Sequence, residues 1–212
     1  MDSDKGKGRP DRAPAVLEQA LAEVFKSIDS AVVAYSGGVD STLVAVAATR
    51  ALGERCLTVI GDSPSLARRD LEEARSLAKR FGLHLREVKP LELENASYRA
   101  NPVDRCYFCK SELFGMLRKL CEREGWKTIL DGYNRDDEGD WRPGHKAAQE
   151  KSVRSPLSEA GFGKGEVRLL AKAWELPNWD KPAAPCLASR FPYGTPIDTE
   201  RLGRVERAEA FL

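Results

Sequence analysis

The 212-residue sequence has no apolar run approaching the ~18 residues that a membrane-crossing helix requires. Its longest candidate, Thr42–Ala48, has the length of a core helix fragment. The opening Met1-Asp2-Ser3-Asp4-Lys5-Gly6 carries no apolar segment, which predicts no secretory leader and a cytoplasmic protein. An excess of one charge is also missing: 34 Lys+Arg stand against 33 Asp+Glu, a net charge of +1. That balance argues against a strongly basic nucleic-acid binder and against an acidic tail, and leaves room for a local basic patch. Histidine is scarce: only His84 and His145 occur, neither near a cysteine in sequence. A second close cysteine pair is absent, which excludes a four-cysteine zinc ribbon. No Gly-Lys-Ser/Thr occurs, so a Walker phosphate loop is excluded.

What remains is a globular composition, 42% hydrophobic and 32% charged, at a length suited to one domain of ~100–200 residues. Residues 1–13 read as a flexible terminus, 14–198 as the main domain, and 199–212 as the start of a further region. Val16, Leu17, Ala20, Leu21, Val24, Phe25 and Ile28 form one helical stripe. Ala31–Tyr35 reads as a buried strand, followed by a helix from Asp40 to Leu52 that Gly53 closes. Cys56–Ile60 is a second strand. Ser65 is placed to cap a helix from Leu66 to Phe81. Leu83–Val88 is a third strand, and a helix opened by Asn101-Pro102 runs to Glu124. Lys127–Leu130 and Val153–Ser155 complete the strands. Lys164–Leu176 and Thr199–Leu212 read as helices, with a Pro- and Ala-rich loop over 177–196. The alternation predicts an α/β fold: a parallel sheet of about five strands flanked by helices, with ligands at the carboxyl ends of the strands.

Tyr35-Ser36-Gly37-Gly38-Val39-Asp40-Ser41-Thr42 lies at such an end and opens a helix. Glycines let backbone N–H groups turn toward a phosphate, and a helix N-terminus favours an anion. Ser36, Ser41 and Thr42 add hydroxyls. Asp40 would repel a phosphate, so Mg²⁺ or loop orientation is its role. A capped helix start is the plainer alternative. The stretch matches Ser-Gly-Gly-x-Asp-Ser and resembles the PP-loop ATP pyrophosphatases. The resemblance implies an adenine-nucleotide α-hydrolase-like fold and ATP cleaved between its α and β phosphates. It also places the nucleotide near Gly61-Asp62-Ser63-Pro64-Ser65-Leu66, from which only Ser63 is carried over.

Five cysteines without a secretory leader suggest metal or redox chemistry rather than a disulfide framework. Cys106 and Cys109 share one helical face and both can reach one metal, although Leu113, Leu117 and Leu120 continue that stripe and allow a packing role. Cys121 lies about 18 Å further along a continuous helix and cannot join them. Cys56, at the start of a buried strand, is expected to pack. Cys186, in Ala184-Pro185-Cys186-Leu187-Ala188-Ser189-Arg190, is a loop cysteine beside an arginine. Two helix thiols and one loop thiol suit zinc with a water, or a 4Fe-4S cluster with one open iron.

Two further stretches narrow the family. Leu130-Asp131-Gly132-Tyr133-Asn134-Arg135-Asp136-Asp137-Glu138-Gly139-Asp140-Trp141-Arg142-Pro143-Gly144 is a strand end feeding a carboxylate-rich loop able to hold Mg²⁺–phosphate. The other is Ser189-Arg190-Phe191-Pro192-Tyr193-Gly194-Thr195. Arg142 and Arg190 are candidate anion clamps. With the PP-loop, these stretches resemble the LarE family, ATP-dependent sulfur transferases of nickel-pincer cofactor synthesis, over about residues 14–212. The resemblance implies that a carboxylate of a pyridinium dicarboxylate mononucleotide is adenylated and converted to a thiocarboxylate. Ser36, Gly37, Gly38 and Ser41 would hold pyrophosphate, Asp40 and Asp137 Mg²⁺, and Arg190 an anionic substrate group. Cys106, Cys109 and Cys186 match the three-cysteine members, implying a 4Fe-4S cluster with an added sulfide. A homo-oligomer is also expected, with the sulfide donor unassigned. The family continues into a small C-terminal domain, whereas this sequence stops at Ala210-Phe211-Leu212, so a truncated or processed chain is expected. Two other activities fit the same loop: a PP-loop tRNA thiolase, which the charge balance argues against, and a module that binds ATP without turnover.

Overall fold

A computed structural model of the protein describes residues 12–138 and 143–211. The short apolar segments pair into one sheet. β1 (Ala31–Tyr35) is buried at every position and lies at its centre. β2 (Cys56–Gly61) and β3 (Leu85–Val88) extend the sheet to one side, β4 (Thr128–Leu130) and β5 (Val153–Arg154) to the other, in the order β3-β2-β1-β4-β5. Every pairing is parallel; Val33 stands opposite Thr58 on one side and Leu130 on the other. The expected five-stranded α/β architecture is therefore present.

Alternation along β1 distributes the core to two faces. Ala31, Val33 and Tyr35 pack with α1 (Pro14–Phe25), α2 (Val39–Leu52), α3 (Arg68–Arg80) and α8 (Lys164–Ala173). Val32 and Ala34 face α5 (Arg105–Glu124) and α6 (Pro143–Glu150). The short helices α4 (Ala96–Arg99) and α7 (Pro156–Glu159) and the C-terminal α9 (Thr199–Phe211) complete the described elements. A smaller cluster of Ala67, Tyr98, Leu187, Ala188, Ile197 and Leu202 seats the loop before α9 against α4 and the start of α3. Among the described residues no helix is long and apolar enough to cross a membrane.

Several boundaries differ from expectation for local reasons. Ser65 does not cap α3, which begins at Arg68: its hydroxyl lies 2.6 Å from Tyr98 Oη, and its N–H donates to Ser63 Oγ (2.9 Å). Leu83 lies in the turn that closes α3 rather than in β3, because Gly82 turns at φ +62° and the Leu83 N–H returns to the Ala78 carbonyl. α5 begins at Arg105 because Asn101 sits at φ +52°, its amide donating to the Pro192 carbonyl and its Oδ1 accepting from Arg105. α8 ends at Ala173, two residues before Glu175 turns at φ +58°. The 177–196 loop contains a 3-10 turn at Leu187–Arg190.

Candidate active site

β1 delivers Ser36 to a turn that only glycine fits. Gly37 has φ +76°, and a Cβ there would lie 2.9 Å from Ala74 Cβ, so the turn rests directly on α3. Ser36 N–H donates to Ser41 Oγ (3.2 Å), and the two serine hydroxyls are 3.1 Å apart. Ser41 Oγ and Thr42 Oγ1 both donate to the Gly38 carbonyl. Buried Asn178, from beyond α8, donates to the Gly37 carbonyl and to Thr42 Oγ1, each at 3.0 Å. The loop is thus braced from three elements before any ligand arrives.

The end of β4 reaches the same place. A Cβ on Gly132 would lie 2.7 Å from the Ser41 backbone nitrogen, so only glycine lets the end of β4 approach the first turn of α2. Two residues on, Asn134 Nδ2 donates to Asp40 Oδ1 (2.9 Å), while the Asn134 N–H donates to Asp137 Oδ2 (3.3 Å). Lys164 Nζ lies 3.3 Å from Asp137 Oδ1. Burial raises the Asp40 carboxyl above its ordinary range, and the charge of Asp137 adds to that; Asn134 and Lys164 oppose it. Two carboxylates that repel each other, one in the first turn of α2 and one after β4, are suited to sharing a divalent cation.

A cavity of about 890 Å³ opens over these strand ends. Ser36, Gly38, Asp40, Ser41, Ser63 and Asp137 line it, as do all three cysteines singled out from the sequence, Cys106, Cys109 and Cys186. Gly37 is not at its surface; it shapes the turn from behind. Arg190 is not at its surface either: its guanidinium is paired with Glu209 Oε1 (2.6 Å) and the Pro185 carbonyl (2.9 Å). Arg142 lies outside the described residues. Ile60, Gly61, Pro90 and Leu113 make an apolar slot beside Ser63, with room made by the missing side chain of Gly61.

The cysteine wall is built from two distant segments. Cys106 and Cys109 sit in the first turns of α5. Cys186 is brought to them by the Leu187 N–H bond to the Ser65 carbonyl (2.9 Å) and by Arg105 Nη1 donating to the Ala188 carbonyl (2.9 Å). All three are free thiols, with Cys106 and Cys186 exposed. Burial pushes the Cys109 thiol up to about 12; Lys110 opposes this, and Glu92, Cys186 and Cys106 add to it. The three thiols suit a thiolate-bound group in kind and line one cavity. Among the described residues, no three His, Cys, Asp or Glu side chains are drawn together as a metal-ion site. Cys121 lies far along continuous α5, in the core on that face, and Cys56 is buried in β2, its thiol pushed up to about 11 by burial.

Three cavity residues were not singled out from the sequence. Glu92 is 1% exposed, accepts a bond from Ser63 Oγ on Oε1, and has no partner on Oε2. Burial raises its carboxyl. Its local sequence carries no signal, since it lies in a 3-10 turn of only three residues, Glu92–Glu94. Asp131, also raised by burial, accepts from Ser155 Oγ and the Tyr133 N–H; its position at a strand end was the available clue. Lys110 follows Cys109 directly.

The NAD synthase family pattern matches residues 12–102. The fold resembles the structure of NMN synthetase from Francisella tularensis, with a TM-score of 0.66 at 16% identity over 95% of this chain and 96% of that one. An uncharacterised protein of Synechocystis is 48% identical over 91% of this chain and 72% of its own length. The pyridinium-3,5-bisthiocarboxylic acid mononucleotide synthase of Lactiplantibacillus plantarum is 35% identical over 93% of this chain and 72% of its own. The glutamine-hydrolysing GMP synthase of Aeropyrum pernix is 30% identical over 95% of this chain and 42% of its own. With this degree and extent of identity to the pyridinium mononucleotide synthase, the chain belongs to that enzyme's family, the LarE family within the PP-loop fold.

Proposed function

We propose that the protein is an ATP-dependent sulfur transferase that converts a ring carboxylate of a pyridinium mononucleotide to a thiocarboxylate. The observation that carries this is one cavity lined both by the phosphate loop and by three free thiols. A carboxylate resists substitution because oxide is a poor leaving group. Its oxygen attacks the α-phosphorus of ATP, the bond to the β-phosphate breaks, and pyrophosphate leaves. The acyl adenylate then has AMP as its leaving group, displaced when sulfide attacks the carbonyl carbon.

The N–H groups and hydroxyls of Ser36–Ser41 hold the departing pyrophosphate, with Asp40 and Asp137 on Mg²⁺ and Ser63 at the nucleotide. Arg142 and Arg190 clamp anionic groups of the substrate, Arg190 by exchanging its pairing with Glu209. Cys106, Cys109 and Cys186 would hold a 4Fe-4S cluster, which supplies sulfide when bound. Because Ser36–Ser41 and the thiols open on the same cavity, one bound carboxylate can meet ATP and then sulfur without leaving it.

Anaerobic purification with iron and acid-labile sulfide assay tests the thiol assignment. About four irons per chain, lost in Cys186→Ala, are expected for three thiolates on one cluster. Iron and sulfur transfer both intact in Cys186→Ala would refute it. Absence of iron after anaerobic reconstitution would make Cys186 itself the sulfur source, consumed in a single turnover.

A further inference from the structure

Among the described residues, Lys110 is the only lysine or arginine that lines the 890 Å³ cavity. Its stem is packed on two sides. A Cβ on Gly144 would lie 3.0 Å from Lys110 Cγ, so α6 rests against it, and Nζ lies 5.6 Å from the centroid of the Phe114 ring. The ammonium has no ion-pair partner within 4.0 Å among the described residues. Its charge acts on the Asp131 carboxyl, which it lowers against burial. Asp131 is not a direct ion-pair partner of that ammonium within 4.0 Å; its Oδ1 accepts instead from Ser155 Oγ and the Tyr133 N–H. An ammonium held in this way beside a cavity favours an anion there.

The chemistry of the proposed reaction says which anion. The reacting carboxylate must lie between the α-phosphorus of ATP, over the phosphate loop, and the sulfur at the cysteine wall. Lys110 stands at that wall, one residue from Cys109. A phosphate at the far end of a mononucleotide cannot occupy the same point while the ring carboxylate faces the thiols. We propose that Lys110 binds the ring carboxylate that undergoes activation, and so selects carboxylate-bearing pyridinium mononucleotides over their neutral amides. This rests on the sulfur-transferase assignment above and names the residue that recognises its substrate class.

The test crosses the charge of the residue with the charge of the ligand. Wild type, Lys110→Met and Lys110→Arg are titrated with nicotinic acid mononucleotide and with nicotinamide mononucleotide, which differ in the ring carboxylate, and separately with ATP. A hydrogen bond between charged groups predicts that wild type prefers the acid by about tenfold or more. Lys110→Met should bind acid and amide alike, at the wild-type affinity for the amide, with ATP affinity unchanged. Lys110→Arg should keep part of the preference. A general disturbance of the site would weaken both ligands together and leave the ratio intact. Undiminished preference in Lys110→Met overturns the assignment and leaves the sulfur-transferase proposal standing. So does equal binding of both ligands by wild type. Preserved preference with weakened ATP binding overturns it too, moving Lys110 to the ATP phosphates. Wild type that binds ATP but neither mononucleotide refutes the substrate class itself, and this inference with it.

Discussion

Replacing Glu92 by glutamine should make the ligand-free protein more stable. The carboxyl is 1% exposed, and among the described residues only one of its oxygens has a partner, the Ser63 hydroxyl. Ionised, it places a charge with one unpaired oxygen in a wall shared with Ser65, Cys109 and Leu113. An unsatisfied buried polar group costs about 1–3 kcal/mol, and more when charged. The amide keeps the acceptor for Ser63 and removes the charge, but it puts an unpaired NH2 where the unpaired oxygen was, so only the charge's share is gained, about 1 kcal/mol at pH 8. For a chain of this size that is a rise in Tm of roughly 2–4 °C. The pH dependence follows from the direction of the shift, because burial raises the folded pKa above the ordinary value of 4.5. Below 4.5 the carboxyl is protonated in both states, and wild type and variant should melt together. As pH rises, the unfolded state ionises first and wild-type stability falls relative to the variant. The gap is complete above the folded pKa. Thermal melts from about pH 4 to 8, free of nucleotide and metal, measure it. A variant that melts lower than wild type at the upper end, or a gap independent of pH, would refute the reasoning.

Three substitutions in and around the phosphate loop give further outcomes. Asp40→Asn relieves a carboxyl raised by burial and by Asp137, so the ligand-free variant should gain about 1 kcal/mol at neutral pH. The same variant should lose most of the Tm increase that Mg²⁺·ATP gives wild type; equal increases would remove Asp40 from the cation site. Gly132→Ala puts a Cβ into the Ser41 backbone, predicting a loss of roughly 1–3 kcal/mol in denaturant unfolding and much slower pyrophosphate release. Asn178→Ala leaves the Gly37 carbonyl and Thr42 hydroxyl without their shared donor, predicting a similar loss of stability and weaker pyrophosphate binding by calorimetry.

The sheet was legible because its strands are short apolar runs, each ended by a turn signal: Ala31–Tyr35 by Ser36-Gly37, and Cys56–Gly61 by Asp62-Ser63-Pro64. Helices α1, α2 and α5 carry long enough stripes to be read directly. The short helices α4, α6 and α7 do not, since four to eight residues give too little periodicity, and tertiary contacts decide them. The Ser-Gly-Gly-x-Asp-Ser stretch and the Cys106–Cys109 pair stand out by local spacing, whereas Cys186 joins them through the family resemblance and shares their cavity. Glu92 and Lys110 do not stand out, because their significance arises from what distant segments place beside them. The pairing of Arg190 with Glu209 has the same origin, joining the Cys186 loop to a helix that begins nine residues later.

The central claim is that one cavity activates a carboxylate with ATP and then exchanges its oxygen for sulfur. The most direct measurement is a single-turnover reaction of anaerobically purified protein with Mg²⁺, ATP and pyridinium-3,5-biscarboxylic acid mononucleotide, with pyrophosphate and product mass read together. The expected result is pyrophosphate and AMP in equal amounts and a product carrying one sulfur in place of one oxygen, all dependent on the mononucleotide. Pyrophosphate release that is indifferent to the mononucleotide, or a mononucleotide recovered with both carboxylates intact, would contradict it.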